Sequence, residues 1–383
     1  MEIIEEIDKK SIELTYNVDI ELNSLIKLFS IQNPSGQENF IRKYILAEVK
    51  KLKKTSKIEY NVDSYGNVLI TKGTLKTSKD YYPCLVAHMD SVFELVAEYK
   101  VNKTLTSNGE TKLYGTCAPR EIKNFNYSNI PNSKTTFTTE ISNNTGIGGD
   151  DKCGIWLALK LLKELPILKI VFTVEEEIGG KGAEKVDMKF FNDVGYIIEG
   201  DRKGYDDVIT NIYGSTCSRE FKDIMLPLAS VYGYSENYGM YTDIETFLSN
   251  GVDVSCINLS VGYYNPHTNN EFVIVEDLLK ATQFVKELIY SLGYNRYEHI
   301  LYDKFNSRFN YNHYALDDEL DWYSKSFSSC GCTPELVDLG CDLHNPVINT
   351  HTNIMCSCGE ELIEKEFNFY CPFCNKTYLY DYR

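Results

Sequence analysis

"CLVAHMDSV", residues 84–92, decides the fold. Cys84, Leu85, Val86 and Ala87 make the apolar run of a buried strand, and His88 and Asp90 follow at once. A single His-x-Asp is ordinary at a solvated strand end, so the reading depends on whether other strands end alike. They do. "LKIVFTVEEE" (168–177) ends in three glutamates, "VGYIIEGDRKG" (194–204) ends in Glu199 and Asp201, and "DVSCINLSVGYYNPHT" (253–268) reaches His267. Between the first two, "DDKCGIWLALKLLKEL" (150–165) has the apolar spacing of a helix and opens on Asp150. Strands alternating with helices predict an α/β fold with a mostly parallel central sheet flanked by helices. Ligands of such sheets bind beyond the carboxyl ends of the strands, where these acids and imidazoles gather.

The flanking segments fit the same architecture. Residues 19–54 carry helical apolar spacing on both sides of Asn33-Pro34-Ser35-Gly36, which predicts two helices, with Ser35 as N-cap and Glu38 completing a capping box. "YNVDSYGNVLITKG" (60–73) alternates like a hairpin turning near Gly66-Asn67. Residues 93–145 are Asn/Thr-rich with weak periodicity and read as short strands and loops. "VIVEDLLKATQFVKELIYSLG" (273–293) reads as a helix closed by Gly293. The expected domains are a catalytic unit at 1–293, a Tyr-rich polar connector at 294–329 and a cysteine-rich module at 330–383.

Charge and cysteine usage narrow the class. A net charge of −16 disfavours nucleic acid or an anionic membrane as partner, and no stretch approaches the roughly 20 apolar residues of a membrane span. The start, "MEIIEEIDKK", is acidic where a signal peptide is basic, and Cys84, Cys153 and Cys256 sit in apolar runs as reduced thiols do. A cytoplasmic protein is expected.

Carboxylates and imidazoles crowded at one sheet edge repel or pay desolvation unless a cation holds them. Two His with several carboxylates suit Zn²⁺, with Mn²⁺ or Co²⁺ as alternatives. The order His-x-Asp, Asp-Asp-Lys-x-Gly, Glu-Glu-Ile-Gly, a strand-end Asp and a last His resembles the co-catalytic dinuclear zinc exopeptidases, which include peptidase T and the leucyl and glutamyl aminopeptidases. The resemblance covers about residues 20–293. It implies two metal ions with His88, Asp150, Glu177, Asp201 and His267 as ligands, Asp150 bridging and followed by a cis peptide. It further implies Asp90 as the carboxylate orienting His88, and Glu176 as the general base. Asp151 is then a loop residue, and Glu175 has no assigned role. At the fourth ligand strand Glu199 competes with Asp201, which is favoured for its Asp-Arg-Lys-Gly turn.

The spacing departs from the larger relatives. The 65 residues between Asp201 and His267 leave no room for the lid domain of peptidase T-like enzymes, and the 61 between His88 and Asp150 are few for the glutamyl aminopeptidase insertion. A compact, lidless form is expected, with oligomeric state open. In the tail, Cys356-x-Cys358 lies ahead of Cys371-x-x-Cys374 by a hairpin-length spacer, as in a zinc ribbon holding one structural Zn²⁺. His351 or Cys341 are alternatives for one ligand, and Cys330, Cys332, Cys341 and His344 form a second candidate cluster. The functional expectation is a metal-dependent aminopeptidase acting on short peptides. The rivals are a deacylase of N-acyl amino acids using the same site, and an inactive metal-binding interaction protein, against which the retained Glu176 argues.

Overall fold

In the computed structural model the described residues are 16–126, 136–212 and 214–299, with three short strands near the C-terminus. The chain divides into two compact units, Met1–Tyr302 and Asp303–Arg383.

The first unit opens with helices α1 (Val18–Phe29) and α2 (Asn39–Leu52) and the antiparallel hairpin β1 (Ile58–Val62) and β2 (Val68–Lys72). The expected Ser35 cap does not form. Asn17 caps α1 through its side chain, Glu38 stands at the N-cap of α2 without a side-chain cap bond, and the Ser35 hydroxyl donates instead to Asp90 (2.7 Å). The helix starts at Asn39, so Ser35 lies a full turn ahead of the free N–H groups it would cap, and its hydroxyl is left to bond Asp90.

Strand β3 (Tyr82–His88) carries the opening sequence and is buried throughout. The stretch expected to hold short strands instead forms β4 (Lys100–Leu105), a long β5 (Thr111–Asn126) and β6 (Thr136–Thr145). Then come α3 (Gly149–Glu164), β7 (Leu168–Thr173), β8 (Val194–Arg202) and β9 (Asp207–Asn211). They are followed by α4 (Arg219–Val231), β10 (Ser235–Tyr238), α5 (Asp243–Ser249) and β11 (Cys256–Ser260). The unit ends with β12 (Tyr263–Tyr264), β13 (Phe272–Ile274) and α6 (Val275–Leu292), which Gly293 caps as expected. Residues 294–299 still pack on it: Tyr297 is buried, donates its backbone N–H to Gly195 and accepts that of Ser255.

The main sheet runs β1-β2-β7-β3-β8-β11-β9-β10. Its centre, β7-β3-β8-β11, is parallel, while β1, β2 and β9 add antiparallel pairings. The predicted α/β class is the observed one, with a mixed rather than wholly parallel sheet. A second sheet, β12-β13-β5-β4 with β6 on β5, lies to the side. Alternation along β3 splits the core: Leu85 and Ala87 join the apolar layer under α1, α2, α3, α4 and α6, while Cys84 and Val86 join the layer under α5. Both faces are thus covered, which is why the central strands read as continuous apolar runs.

Cys84, Cys153 and Cys256 are buried free thiols, as their apolar context implied, and so are Cys117 and Cys217. No helix among the described residues is long and apolar enough to cross a membrane. In the second unit, β14 (Ile363–Lys365), β15 (Asn368–Cys371) and β16 (Lys376–Leu379) form an antiparallel three-stranded sheet. Cys330, Cys332, Cys341, His344, His351, Cys356, Cys358 and Cys374 lie outside the described residues.

Candidate active site

Parallel register sets the site. His88 ends β3 beside Thr173, the last residue of β7, and the neighbouring β8 ends in Asp201-Arg202. The Asp150 loop enters α3 over the same edge, and the segment after β12 brings in His267. Five of the sequence-expected residues meet there. His88 Nε2 lies 2.8 Å from Asp150 Oδ1 and 3.6 Å from Asp201 Oδ1. His267 Nε2 lies 3.2 Å from Asp150 Oδ2 and 3.1 Å from Glu177 Oε2. Asp150 therefore turns one oxygen to each imidazole. The peptide from Asp150 to Asp151 is cis.

The surrounding hydrogen bonds fix these groups. Asp90 lies 3.4 Å from His88 Nδ1, and its oxygens accept the backbone N–H groups of Glu176 (2.9 Å) and Glu177 (3.2 Å). It thus holds the glutamate turn as well as the imidazole. Asp151 is fully buried and accepts the N–H groups of His88 (3.3 Å) and Gly154 (2.9 Å), consistent with a loop-building role. Gly154 is required here: a Cβ would fall 2.5 Å from the Asp151 carboxylate and 2.8 Å from the Gly200 carbonyl. Asp201 accepts the Tyr263 hydroxyl (3.1 Å), and its backbone is bracketed by both ends of the Asn258 amide, each at 2.9 Å.

Several contributors escaped the sequence reading. Glu271, buried on the segment after His267, accepts the N–H groups of Gly148 (2.7 Å) and Asp150 (3.2 Å). The buried Lys152 ammonium donates to the Ile147 carbonyl (2.9 Å), on the other side of the same turn. Its place just ahead of the apolar run Cys153–Ala158 was the one available signal. Asp243, at the start of α5, is buried and accepts the Thr173 hydroxyl. Glu199 is fully buried, and neither carboxylate oxygen has a hydrogen-bond partner. Glu175 sits at φ +54° and accepts the Tyr65 hydroxyl (2.7 Å).

The electrostatics show an excess of negative charge. Burial alone would strip the His88 proton, yet Asp201, Asp150 and Asp90 outweigh it and hold the imidazole well above its usual range. Hydrogen bonds to Asp150 and Glu177 lift His267 to about 10. Burial and the neighbouring Asp150 push Asp201 up to about 7, against the pull of His88. Burial, with Asp201, Asp243 and Glu177 beside it, raises Glu176 well above the carboxylate range despite the opposing pull of His88. The acidic groups crowded around both imidazoles make this a place where a cation would be held. Donor atoms of His88, Asp150 and Glu177, and of His88, Asp151 and Asp201, lie within 4.8 Å of one another, and Glu177 Oε1 is buried without a partner. This imidazole and carboxylate set fits divalent metal.

Residues 130–284 match the family model of the M42 glutamyl aminopeptidases. No curated protein sequence matches the chain. Among solved structures, the aminopeptidase PepT of Bacillus cereus aligns with 72% of this chain and 99% of its own, at 14% identity and a TM-score of 0.52. A tripeptidase of Staphylococcus aureus aligns with 71% of this chain and 98% of its own, at 15% identity and the same TM-score. At such identities the likeness is one of fold.

Proposed function

We propose that this chain, a metal-dependent hydrolase of the aminopeptidase type, removes N-terminal residues from short peptides at the β3–β8 edge. The observation that carries this reading is Asp150, whose two oxygens face two separate groups of donors. His88 and Asp201 would share one ion with Asp150, and Glu177 and His267 the other. Asp201 is preferred to Glu199 because its carboxylate faces His88, at 3.6 Å. Two divalent ions bound there, Zn²⁺ or else Mn²⁺ or Co²⁺, would supply an electrophile for the scissile carbonyl and acidify water.

The chain's own residues do the rest. Asp90 fixes the imidazole of His88 and, through the N–H groups of Glu176 and Glu177, the orientation of the glutamate turn. Glu176 stands next to the ligand Glu177 and is assigned to accept a proton from the attacking water and return it to the leaving amine. In the tail, Cys356, Cys358, Cys371 and Cys374 would hold one structural Zn²⁺, a reading supported by their spacing around the β14–β15 hairpin. The five buried free thiols support a cytoplasmic location.

The test is a substrate panel of short peptides with free and N-acetylated termini, together with N-acyl amino acids. Free peptides are expected to be cut and acetylated ones spared. Cleavage of N-acyl amino acids with free peptides untouched would replace the peptidase by a deacylase.

A further inference from the structure

The glutamate turn carries apolar side chains that the chemistry above does not use. Ile178 follows Glu177 directly and is 46% exposed. The backbone N–H groups of Gly179 (3.0 Å) and Gly180 (2.9 Å) both donate to the Glu176 carbonyl and close the turn. Gly180 stands at φ +60°, and the Tyr241 hydroxyl fills the space that a Cβ there would need. The phenol of Tyr241 therefore lies against the turn that presents Glu176 and Glu177.

Tyr241 is pinned in that place. Its hydroxyl shares a hydrogen bond with the Thr246 hydroxyl of α5 (2.8 Å). Burial, with Asp243 and Glu176 beside it, pushes the Tyr241 hydroxyl up to about 12 against the effect of the Thr246 bond. Two residues on, Asp243 accepts the hydroxyl of Thr173, which pairs with His88 at the strand ends. Residues 240–243 thus run from the surface into the site. Exposure falls along them, from 79% at Met240 and 38% at Tyr241 to 9% at Thr242 and 0% at Asp243.

Exposed apolar residues scattered singly are common and mean little. Here Ile178, Met240 and Tyr241 come from two segments that meet at Gly180, beside Glu176. A base that acts on the water attacking a peptide bond stands next to that bond, so the substrate side chains flanking the bond reach this wall. An aliphatic or aromatic side chain would cover the exposed surface, to which the flexible thioether of Met240 can adapt. An acidic one would gain no such cover and would be repelled by Glu176 and Asp243.

We propose that Ile178, Met240 and Tyr241 form a specificity wall that selects an apolar substrate side chain next to the scissile bond. The inference rests on the peptidase reading above. The side chain has two sources, the first or the second residue of the peptide.

Two sets of tripeptides separate them. One places Leu, Gly or Glu first with Ala second, and the other places Ala first and varies the second residue in the same way. Wild-type protein should favour Leu over both Gly and Glu in one set, roughly 10- to 100-fold in kcat/KM, as burial of an aliphatic side chain implies. The set that responds identifies the source. Met240→Lys should shrink the margin of Leu over Glu in that set, because it exchanges apolar surface for a cation. Ile178→Ser and Tyr241→Ala should shrink the margin of Leu over Gly. If Tyr241→Ala does not fold, the two substitutions at the more exposed positions decide. Wild-type protein that cuts peptides without preference for Leu in either set overturns the assignment and leaves the peptidase reading standing. Margins unchanged in the variants do the same, even where all rates fall together, since that marks support of the turn and not selection. Wild-type protein that cuts no peptide removes both.

Discussion

The two halves of the site are held in place by different means. His88 and Asp201 stand at the ends of β3 and β8, adjacent parallel strands, and inherit their positions from sheet register. Glu177 and His267 lie on connecting segments, and Asp150 in the non-helical opening of α3, where no ladder fixes the backbone. There, buried side chains replace the ladder. Glu271 accepts the N–H groups of Gly148 and Asp150, and Asp90 accepts those of Glu176 and Glu177. Even the strand half needs one such bracket, the Asn258 amide around Asp201, at the point where the β8–β11 register shifts. Site residues on strands are placed by the fold; those on loops are placed by buried acceptors that must themselves be held.

The largest effect expected from this comparison is on the metal itself. Removing bound metal with a chelator should abolish peptide hydrolysis, and restoring a divalent ion should recover it, as followed by turnover and by metal analysis. Full activity in metal-free protein would end the account of both halves. Next comes Glu271→Gln, which turns an acceptor into an amide that faces N–H donors. It should weaken metal binding by roughly 10- to 100-fold, the scale of lost outer support to a ligand, while far-ultraviolet circular dichroism stays native. Asn258→Leu, on the strand half, should instead lower stability by about 1–3 kcal/mol in denaturant titration and change metal affinity less, because β-pairing still places Asp201. Metal affinity that falls further in Asn258→Leu than in Glu271→Gln would break the distinction between the halves. The smallest effect is expected at Tyr65→Phe, which removes the partner of Glu175. Stability should stay within about 0.5 kcal/mol and turnover near normal, since Glu175 is assigned no role in the site.

The same contrast explains what could be read from the chain. Strand ends were legible because an apolar run that stops on His88 or Asp201 states both the burial and its limit. Order along the chain then pointed to Asp150, Glu177 and His267. Contacts between distant segments were not legible. Glu271 meets the Asp150 N–H across 121 positions, and Ser35 bonds to Asp90 across 55, which local pattern cannot show. The length of β5 was hidden because Thr, Lys and Asn alternate weakly in a strand of a side sheet. Between β9 and β11, α4 contains Pro227 and α5 spans only seven residues, so neither carries the long uninterrupted period that marks a helix.

The glutamate turn offers the most direct test of the central claim, that this sheet edge is a metal-dependent peptidase site in which base and ligand are separate neighbours. Bound metal and peptide hydrolysis are measured side by side in Glu176→Gln and Glu177→Gln. Glu176→Gln should keep its metal and lose turnover by roughly 10²–10⁴, the contribution of a general base, whereas Glu177→Gln should lose metal affinity along with activity. Metal lost from Glu176→Gln and kept in Glu177→Gln would exchange the two roles, and near-normal hydrolysis by Glu176→Gln with metal bound would contradict the mechanism.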